Sequence, residues 1–316
     1  MSLDLGFDDT QLAIFEGVDQ FCRDRCGPEV VKAAAAHFPS GLWRDLAELG
    51  VFAAATPEGE GGALEIAAVM EALGRAVFPG PLAATFLATQ LLPEAERVAV
   101  ASGTSLVSLG SRGLMPWAPL AQLFLEVEGE RVWRVQPRQA LQSVATLGGE
   151  PWGRGELERQ AELGEARRGL SLYDIALAAY LAAAAQRLVE EASEHARTRT
   201  QFGRAIGEFQ AVAHPLANCS IRQAAAATLA RTAAFHFDRG DAEARGMAAA
   251  ARLSACAAAV DAAHVCHQVF GAIGITLEGP AFHVTRRIRQ LASQPPRPEA
   301  ARAAVFELFD CEEGSA

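Results

Sequence analysis

The segment LYDIALAAYLAAAAQRLVEEA, residues 172 to 192, constrains this chain more than any other. It consists almost wholly of Ala, Leu and other good helix formers. Leu177, Leu181, Ala184 and Leu188 recur on one face at the helical period. Leu253, Cys256, Val260 and Ala263 define a second such face further on. Three or four long helices of this kind form a bundle. Their apolar stripes exceed what one small bundle needs to bury, so the chain is expected to be at least dimeric. Between the two faces lies RTRTQFGRAIGEFQAVAHPLAN, residues 197 to 218, which breaks the pattern. Gly203 and Gly207 would each sacrifice up to about 1 kcal/mol of propensity inside a helix, and Phe202 is a large apolar group among polar neighbours. Taken alone, Arg199 reads as a helix-end cation, Phe202 as a core plug and Gly203 as a C-cap.

A chain of 316 residues can bury a sizeable core in one large domain or two to three smaller ones. The formal charge of −10 argues against nucleic acid or an anionic membrane surface as partner, since phosphate binding relies on clustered cations. Cys22, Cys26, Cys219, Cys256, Cys266 and Cys311 form no CxxC pair and read as reduced core residues. The N-terminal MSLDLGFDDTQ is acidic where a signal peptide needs a basic start. Charges interrupt the alanine-rich segments short of the roughly 20 apolar residues of a membrane span. The expectation is a cytoplasmic chain without a span.

Along the first hundred residues, Asp8 with Gln11 resembles a capping box ahead of Leu12, Phe15, Val18 and Cys22 at helical spacing. Pro28 can open a second helix, residues 42 to 49 a third that stops at Gly50, and Ile66, Val69, Met70 and Leu73 mark a fourth after the loop TPEGEGG. Pro79, Pro81 and Pro93 bracket a fifth. Beyond residue 103 the runs SLVSLG, LFLEVEG and RVWRVQP are rich in Val, Leu, Phe and Trp and read as short strands. Trp117, Trp133 and Trp152 read as core or loop anchors, and the charge run from Arg154 to Arg168 as a solvated connector. From about residue 165 the helical period returns. The fold class is therefore mainly α: an N-terminal helical domain over 1–102, a reduced β domain over 103–164 and a C-terminal four-helix bundle over 165–316.

The ordered set Arg199-Thr-Gln-Phe202-Gly203, then Gln210, then Gln268-Val-Phe270-Gly271-Ala-Ile-Gly274 resembles the acyl-CoA dehydrogenase family, with its Arg-x-x-Phe-Gly segment and later glycine turn. PEGEGG at 57 to 62, GLWRDLAELG at 41 to 50 and MEALGRA at 70 to 76 extend the resemblance over both helical regions. The resemblance implies that Arg199 reaches across a subunit interface to the pyrophosphate of a neighbour's FAD, a role suited to a permanently charged two-pronged donor. It implies that Phe202 and Gln210 line the same flavin and that Gln268, Phe270 and Gly271 hold its adenine end. Read without the resemblance, Gln210 and Gln268 are interhelical hydrogen bonders.

Departures from the family pattern are equally specific. The family's chemistry removes the α-proton of an acyl-CoA with a carboxylate while hydride passes to the flavin. Counting on from Arg286 places Pro295 where one class of members carries the base, and the next carboxylate is Glu299. Counting back from Arg199 places Tyr173 where another class carries it, with Asp174 beside it; Asp174 also reads as a dipole partner in the first turn of its helix. The family's Thr-Glu-Pro, Gly-Ser-Asp and Trp-Ile-Thr segments around the flavin ring are missing from the β region. His264, Cys266 and His267 lack the second pair that a zinc site requires.

The resemblance thus implies a subunit, inactive alone, that completes an FAD site in a heteromeric, expectedly heterotetrameric, acyl-CoA dehydrogenase beside a catalytic subunit. Such assemblies tend to act on bulky acyl-CoA substrates such as steroid side chains. The rivals are a self-sufficient homo-oligomeric dehydrogenase using Asp174 or Glu299, and a non-enzymatic scaffold that has lost flavin.

Overall fold

The computed structural model describes residues 6–33, 37–54, 56, 59 and 61–310. Cys311 and part of the PEGEGG motif (Pro57, Glu58 and Glu60) lie outside them. The chain begins with α1 (Asp9–Arg25), opened by the expected capping box: the Gln11 amide donates to Asp8 Oδ1 at 2.9 Å and the Asp8 amide to Gln11 Oε1 at 3.1 Å. Pro28 opens α2 (Pro28–Ala33), and α3 (Ser40–Glu48) ends before Gly50 in the left-handed region. Next come α4 (Ala63–Ala76), α5 (Leu82–Leu91) and α6 (Glu94–Ala101). Sequence reading gave Pro93 only as the end of α5. Because proline is also favoured at a helix start, the same residue caps α6, which the reading missed.

The expected strand runs form β1 (Val107–Gly110), β3 (Leu123–Glu128) and β4 (Arg131–Pro137), with β2 (Leu114–Pro116) between the first two. They are followed by β5 (Gln142–Val144), β6 (Trp152–Arg154) and β7 (Leu157–Leu163). One sheet has the order β1-β3-β4-β7, parallel only between β1 and β3, and the other β2-β6-β5. The charge run after Arg154 is thus a strand rather than a connector. Its alternating signs pair across the sheet, Glu162 with Arg131 and Arg159 with Glu128, and cross-strand pairing leaves the same sequence trace as solvation.

Three long helices build the bundle: α7 (Ala166–Thr198), α8 (Gln210–Arg239) and α9 (Ala244–Phe270). A two-stranded hairpin, β8 (Thr200–Gln201) with β9 (Arg204–Ala205), joins the first two. A 3-10 turn (Gly271–Ile275), α10 (Pro280–Ser293) and α11 (Arg302–Asp310) follow. The seams are made of alanine: Ala178, Ala182, Ala226, Ala230, Ala255 and Ala259 are fully buried. Small side chains let helix axes come close, which substitutes backbone contact for interlocked large residues. The same holds where α4 crosses α7, since a Cβ at Gly74 would lie 2.3 Å from the Tyr180 carbonyl oxygen. The two domains are tied again at the start of α4, whose free Ala63 and Leu64 amides donate to Asp238 of α8 at 2.6 and 3.0 Å.

Two helices, Ala166–Thr198 and Ala244–Ile275, are long and apolar enough to cross a membrane by length and composition; the charges expected to interrupt them do not break their most apolar stretches. That stretch is 89% buried inside the fold in the first helix, so its apolarity serves the core, but only 39% buried in the second.

Gly74→Ala should lower stability by about 1–3 kcal/mol, because the added methyl meets backbone rather than a side chain that can swing away. Urea denaturation at fixed protein concentration measures it, and an unchanged midpoint would show that α4 and α7 are not in backbone contact.

Candidate functional site

The two positions at which the family pattern calls for a base come together in space. Tyr173 lies in α7, and its phenol oxygen accepts from Gln294 Nε2 at 3.0 Å; Gln294 immediately precedes Pro295. The Arg252 guanidinium stands 5.1 Å from the Tyr173 ring centroid and donates through Nη2 to the Pro296 carbonyl. A tyrosine, an amide and a guanidinium thus fill the space between the two positions, and none of them is a carboxylate.

Asp174 is not a first-turn dipole partner. Its helix starts at Ala166, so it lies more than two turns in, 1% exposed, with both oxygens engaged. Oδ1 accepts from Arg252 Nη1 at 2.9 Å and Oδ2 from Arg245 Nη1 at 2.8 Å. Arg245 also reaches Glu130, in the turn between β3 and β4, at 2.8 and 3.0 Å. Burial is the largest single influence and works against the charge of both guanidiniums, but their neighbours together, Asp174 first and for Arg245 also Glu130, outweigh it and raise both above the ordinary arginine value. Burial pushes the Tyr173 hydroxyl up and the neighbouring Cys256 thiol up to about 11, so neither ionises at neutral pH. To take a substrate proton, Asp174 would have to leave two buried ion pairs. Sequence reading missed Arg245 and Arg252, although their i, i+7 spacing among alanines on α9 placed two charges on one buried face.

Behind this network is a cavity of about 20 Å³ lined by Met70, Trp117, Tyr173, Tyr180, Arg287 and Gln294. That is room for about one water molecule. Its polar groups are engaged by the protein itself: Arg287 donates to the Gly80 carbonyl at 2.9 Å and meets Glu150, while the Tyr180 hydroxyl donates to the Phe78 carbonyl at 3.0 Å. Neither a flavin ring nor an acyl chain fits this cavity. Glu299 is exposed and faces a different, open cleft.

The residues that the resemblance ties to flavin lie elsewhere. Arg199 caps the C-terminus of α7 with an exposed guanidinium that has no ion-pair partner among the described residues, its own amide donating to the His195 carbonyl at 2.8 Å. Phe202 is 93% exposed at φ +53 on the hairpin tip, edge-on to Phe209, so it is not a core plug. Gly203, at φ +81, completes that hairpin turn rather than a helix end. Gln210 starts α8 and Gln268 lies on α9, both exposed and without the interhelical hydrogen bonds of the alternative reading. Phe270 is buried against the His195 ring, 5.1 Å between centroids, and so cannot present its face to a ligand. That contact holds the glycine turn and Arg199 at the same end of the bundle. Gly271, exposed at φ +63, leaves open space where a side chain would stand. His264 accepts from Arg289 at 2.7 Å and Cys266 is buried with its thiol pushed up to about 12; no cluster able to hold a metal occurs among the described residues.

Sequence comparison matches residues 8–103 to the acyl-CoA dehydrogenase N-terminal domain and residues 165–293 to the acyl-CoA dehydrogenase C-terminal domain. Acyl-CoA dehydrogenase IpdE2 of Mycobacterium tuberculosis is 32% identical over 281 residues, covering 83% of this chain and 86% of the relative. The chain belongs to the acyl-CoA dehydrogenase family. Its fold superposes on a chain of the ChsE4-ChsE5 complex from Mycobacterium tuberculosis with a TM-score of 0.82 and 21% identity, over 99% of this chain and all of the other. A chain of the Tcur3481-Tcur3483 steroid ACAD G363A variant gives 0.82 at 20% identity, again over 99% of this chain and all of that one. As in its relatives, two helical regions flank a strand region; the family's characteristic cofactor is FAD.

Asp174→Asn should destabilise this acyl-CoA dehydrogenase family member by about 3–5 kcal/mol, because Arg245 and Arg252 would remain buried with too little opposing charge. Thermal unfolding would show it. A variant as stable as the wild type would free Asp174 from a structural role and restore it as a candidate base.

Proposed function

We propose that this chain is the flavin-completing subunit of a heteromeric acyl-CoA dehydrogenase, pairing with a catalytic subunit that supplies the base and the pocket for the flavin ring. One observation carries this reading: the place where a family member keeps its base and acyl chain is closed around Tyr173, Arg252 and Gln294, while the Arg199 arm stands exposed and unpaired. A chain built this way has nothing with which to abstract an α-proton, yet offers a guanidinium fork to an anion outside itself.

The exposed arm fits a flavin held mainly by a neighbour. Arg199 would bind its pyrophosphate, Phe202 would cover its edge and the bare Gly271 backbone would admit its adenine end. When bound, FAD supplies a hydride acceptor for the β-carbon of the acyl thioester. This chain's part is to hold the cofactor and exclude water from its outer side. Exposed apolar surface supports a partner as well: Ile221, Ile273, Ile275 and Leu277 are 49 to 70% exposed, and the most apolar stretch of the second long helix is mostly uncovered. The ChsE4-ChsE5 complex and the Tcur3481-Tcur3483 steroid ACAD each join two components, which supports a heteromeric assembly here, proposed as a heterotetramer acting on a bulky acyl-CoA. The homo-oligomer reading loses support because Asp174 is held by two arginines and Glu299 is on the surface. The scaffold reading loses support because Arg199, Phe202 and the open Gly271 backbone stand exposed together at one end of the bundle.

The isolated chain should carry no flavin absorbance near 450 nm and should fail to reduce an artificial electron acceptor with any acyl-CoA, whereas co-expression with its catalytic subunit should restore both. Turnover by the isolated chain that Asp174→Asn abolishes would establish the homo-oligomer instead.

Arg199→Ala should remove a charge-assisted contact of roughly 1.5–3 kcal/mol and lower flavin affinity of the complex about tenfold to a hundredfold. Arg199→Lys should recover part of it, since an ammonium lacks the two-pronged geometry. The melting temperature should hardly move, because the side chain is exposed. Full flavin occupancy with a lowered melting temperature would make Arg199 a structural residue.

A further inference from the structure

Helix α3 starts without a cap, at the edge of a hollow on the side of the N-terminal domain that faces the strand region. Pro39 stands at its N-cap, no side chain accepts from its first amides and no acidic residue occupies its first turn. Among the described residues the Gly41 and Leu42 amides have no acceptor, whereas the Trp43 amide reaches the Pro39 carbonyl at 3.0 Å. A helix start left this way carries about half a positive charge that nothing in the chain answers.

A buried group beside it also lacks a partner. Trp43 is 1% exposed, yet its indole Nε1 donates to nothing among the described residues, a rarity in a packed core that calls for an explanation. The pyrrole edge of the ring faces Gly103, whose missing side chain leaves it uncovered: a Cβ there would stand 3.2 Å from Cδ1 and 3.4 Å from Nε1. Trp43 and Gly103 both line the hollow, which measures about 240 Å³ and lies between the start of α3, the turn after α6 and the residue before β3. On its rim Arg44 and the Ser40 hydroxyl are exposed and have no partner among the described residues, while the neighbouring carboxylate, Asp45, is taken by Arg25 at 2.5 Å. The other polar groups of the wall are engaged. Gln122 accepts from the Leu106 amide and donates to the Leu120 carbonyl, both at 2.8 Å, and the Thr104 hydroxyl donates to the Ala99 carbonyl at 2.9 Å. What is left free is a set of donors, and no carboxylate among the described residues lines the hollow.

We infer that this hollow binds a small organic carboxylate, its oxygens taking the amides at the start of α3, the Trp43 N–H and the Arg44 guanidinium while its apolar body rests on Phe38 and Leu106. A guanidinium fork matches a carboxylate in geometry, and a helix start favours an anion. The volume falls below the range of about 300–1,000 Å³ usual for larger ligands, so the hollow is too small for a nucleotide or a flavin. One guanidinium and a partly apolar wall suit a singly charged acid better than a phosphate, whose greater charge would be left under-paired. The site uses no residue of the Arg199 arm or of the buried cluster around Asp174, so it stands whether or not the chain serves a flavin.

Benzoate is the probe, with benzamide as its neutral counterpart of the same shape and inorganic phosphate as an anion without an apolar body. In an NMR titration of the full chain, labelled with nitrogen-15 in its tryptophans, one of the four indole N–H resonances should shift downfield and saturate at one benzoate per chain. Benzamide and phosphate should each bind at least about tenfold more weakly. Arg44→Gln should weaken benzoate about tenfold or more. Ser40→Asp sets a carboxylate of the protein's own at the helix start and should abolish binding while the melting temperature holds or rises. Both positions are exposed, so the two variants test the site without disturbing the core. No saturable binding, benzamide or phosphate binding as tight as benzoate, binding without an indole shift, or benzoate affinity unchanged in either variant would each overturn the inference.

Discussion

The rest of the structure depends on three charges brought together out of water and a fourth, half-buried, beside them. Asp174, Arg245 and Arg252 are 1, 7 and 2% exposed, and Glu130 completes the group from the sheet. Such ions are expensive to bury and remain only where each has a partner in good geometry. Here each partner comes from a different part of the chain: α7, α9 and the turn between β3 and β4. Through the Pro296 carbonyl the group also fixes the segment after α10. One balanced cluster therefore sets the position of the bundle, the strand region and the loop next to the closed cavity.

Around the cluster the bundle is held by contacts of a different kind. Alanine seams bury little area per residue, so many residues must be buried to stabilise the fold, and the helices are correspondingly long. Close axes also leave little room for a pocket between the helices. The cavity of about 20 Å³ beside Tyr173 follows from this packing. A chain that bound its own acyl substrate there would need the gap that alanine and Gly74 contacts remove.

Much of this was legible in the sequence. The helical period, the capping box at Asp8 and the glycine after α3 fix local structure through short-range chemistry, and the strand runs fix β1, β3 and β4. The vacancy of the base positions could also be read, because Tyr173 and Pro295 are counted from motifs rather than from packing. What could not be read was long-range pairing. Alternating charge from 154 to 168 looks alike whether it faces water or another strand, and Asp174 near the start of a helix looks like a dipole partner until α9 is laid across it. Phe270 was assigned to the ligand because its motif is, whereas packing against the tilted His195 ring decides where its ring goes. Asp238, which caps α4 from a helix in the other domain, leaves no local trace at all.

The charge balance also explains why the catalytic base and the buried cluster exclude each other. Arg245 and Arg252 face Asp174 and Glu130, and Arg167, which also approaches Glu130, is matched by Glu307, so the cluster is already neutral. A carboxylate at position 173 or 295 would be a third negative charge in the same low-dielectric space. It would either compete with Asp174 for Arg252 or be held protonated by burial, and neither state takes a proton from a substrate. A base there would thus require that Arg252 leave its partners at Asp174 and Pro296, which would release the loop and reopen the cavity. The lack of a carboxylate at positions 173 and 295 and the closed cavity thus share one structural cause, the arginine of α9 that fills the space between Tyr173 and the proline segment.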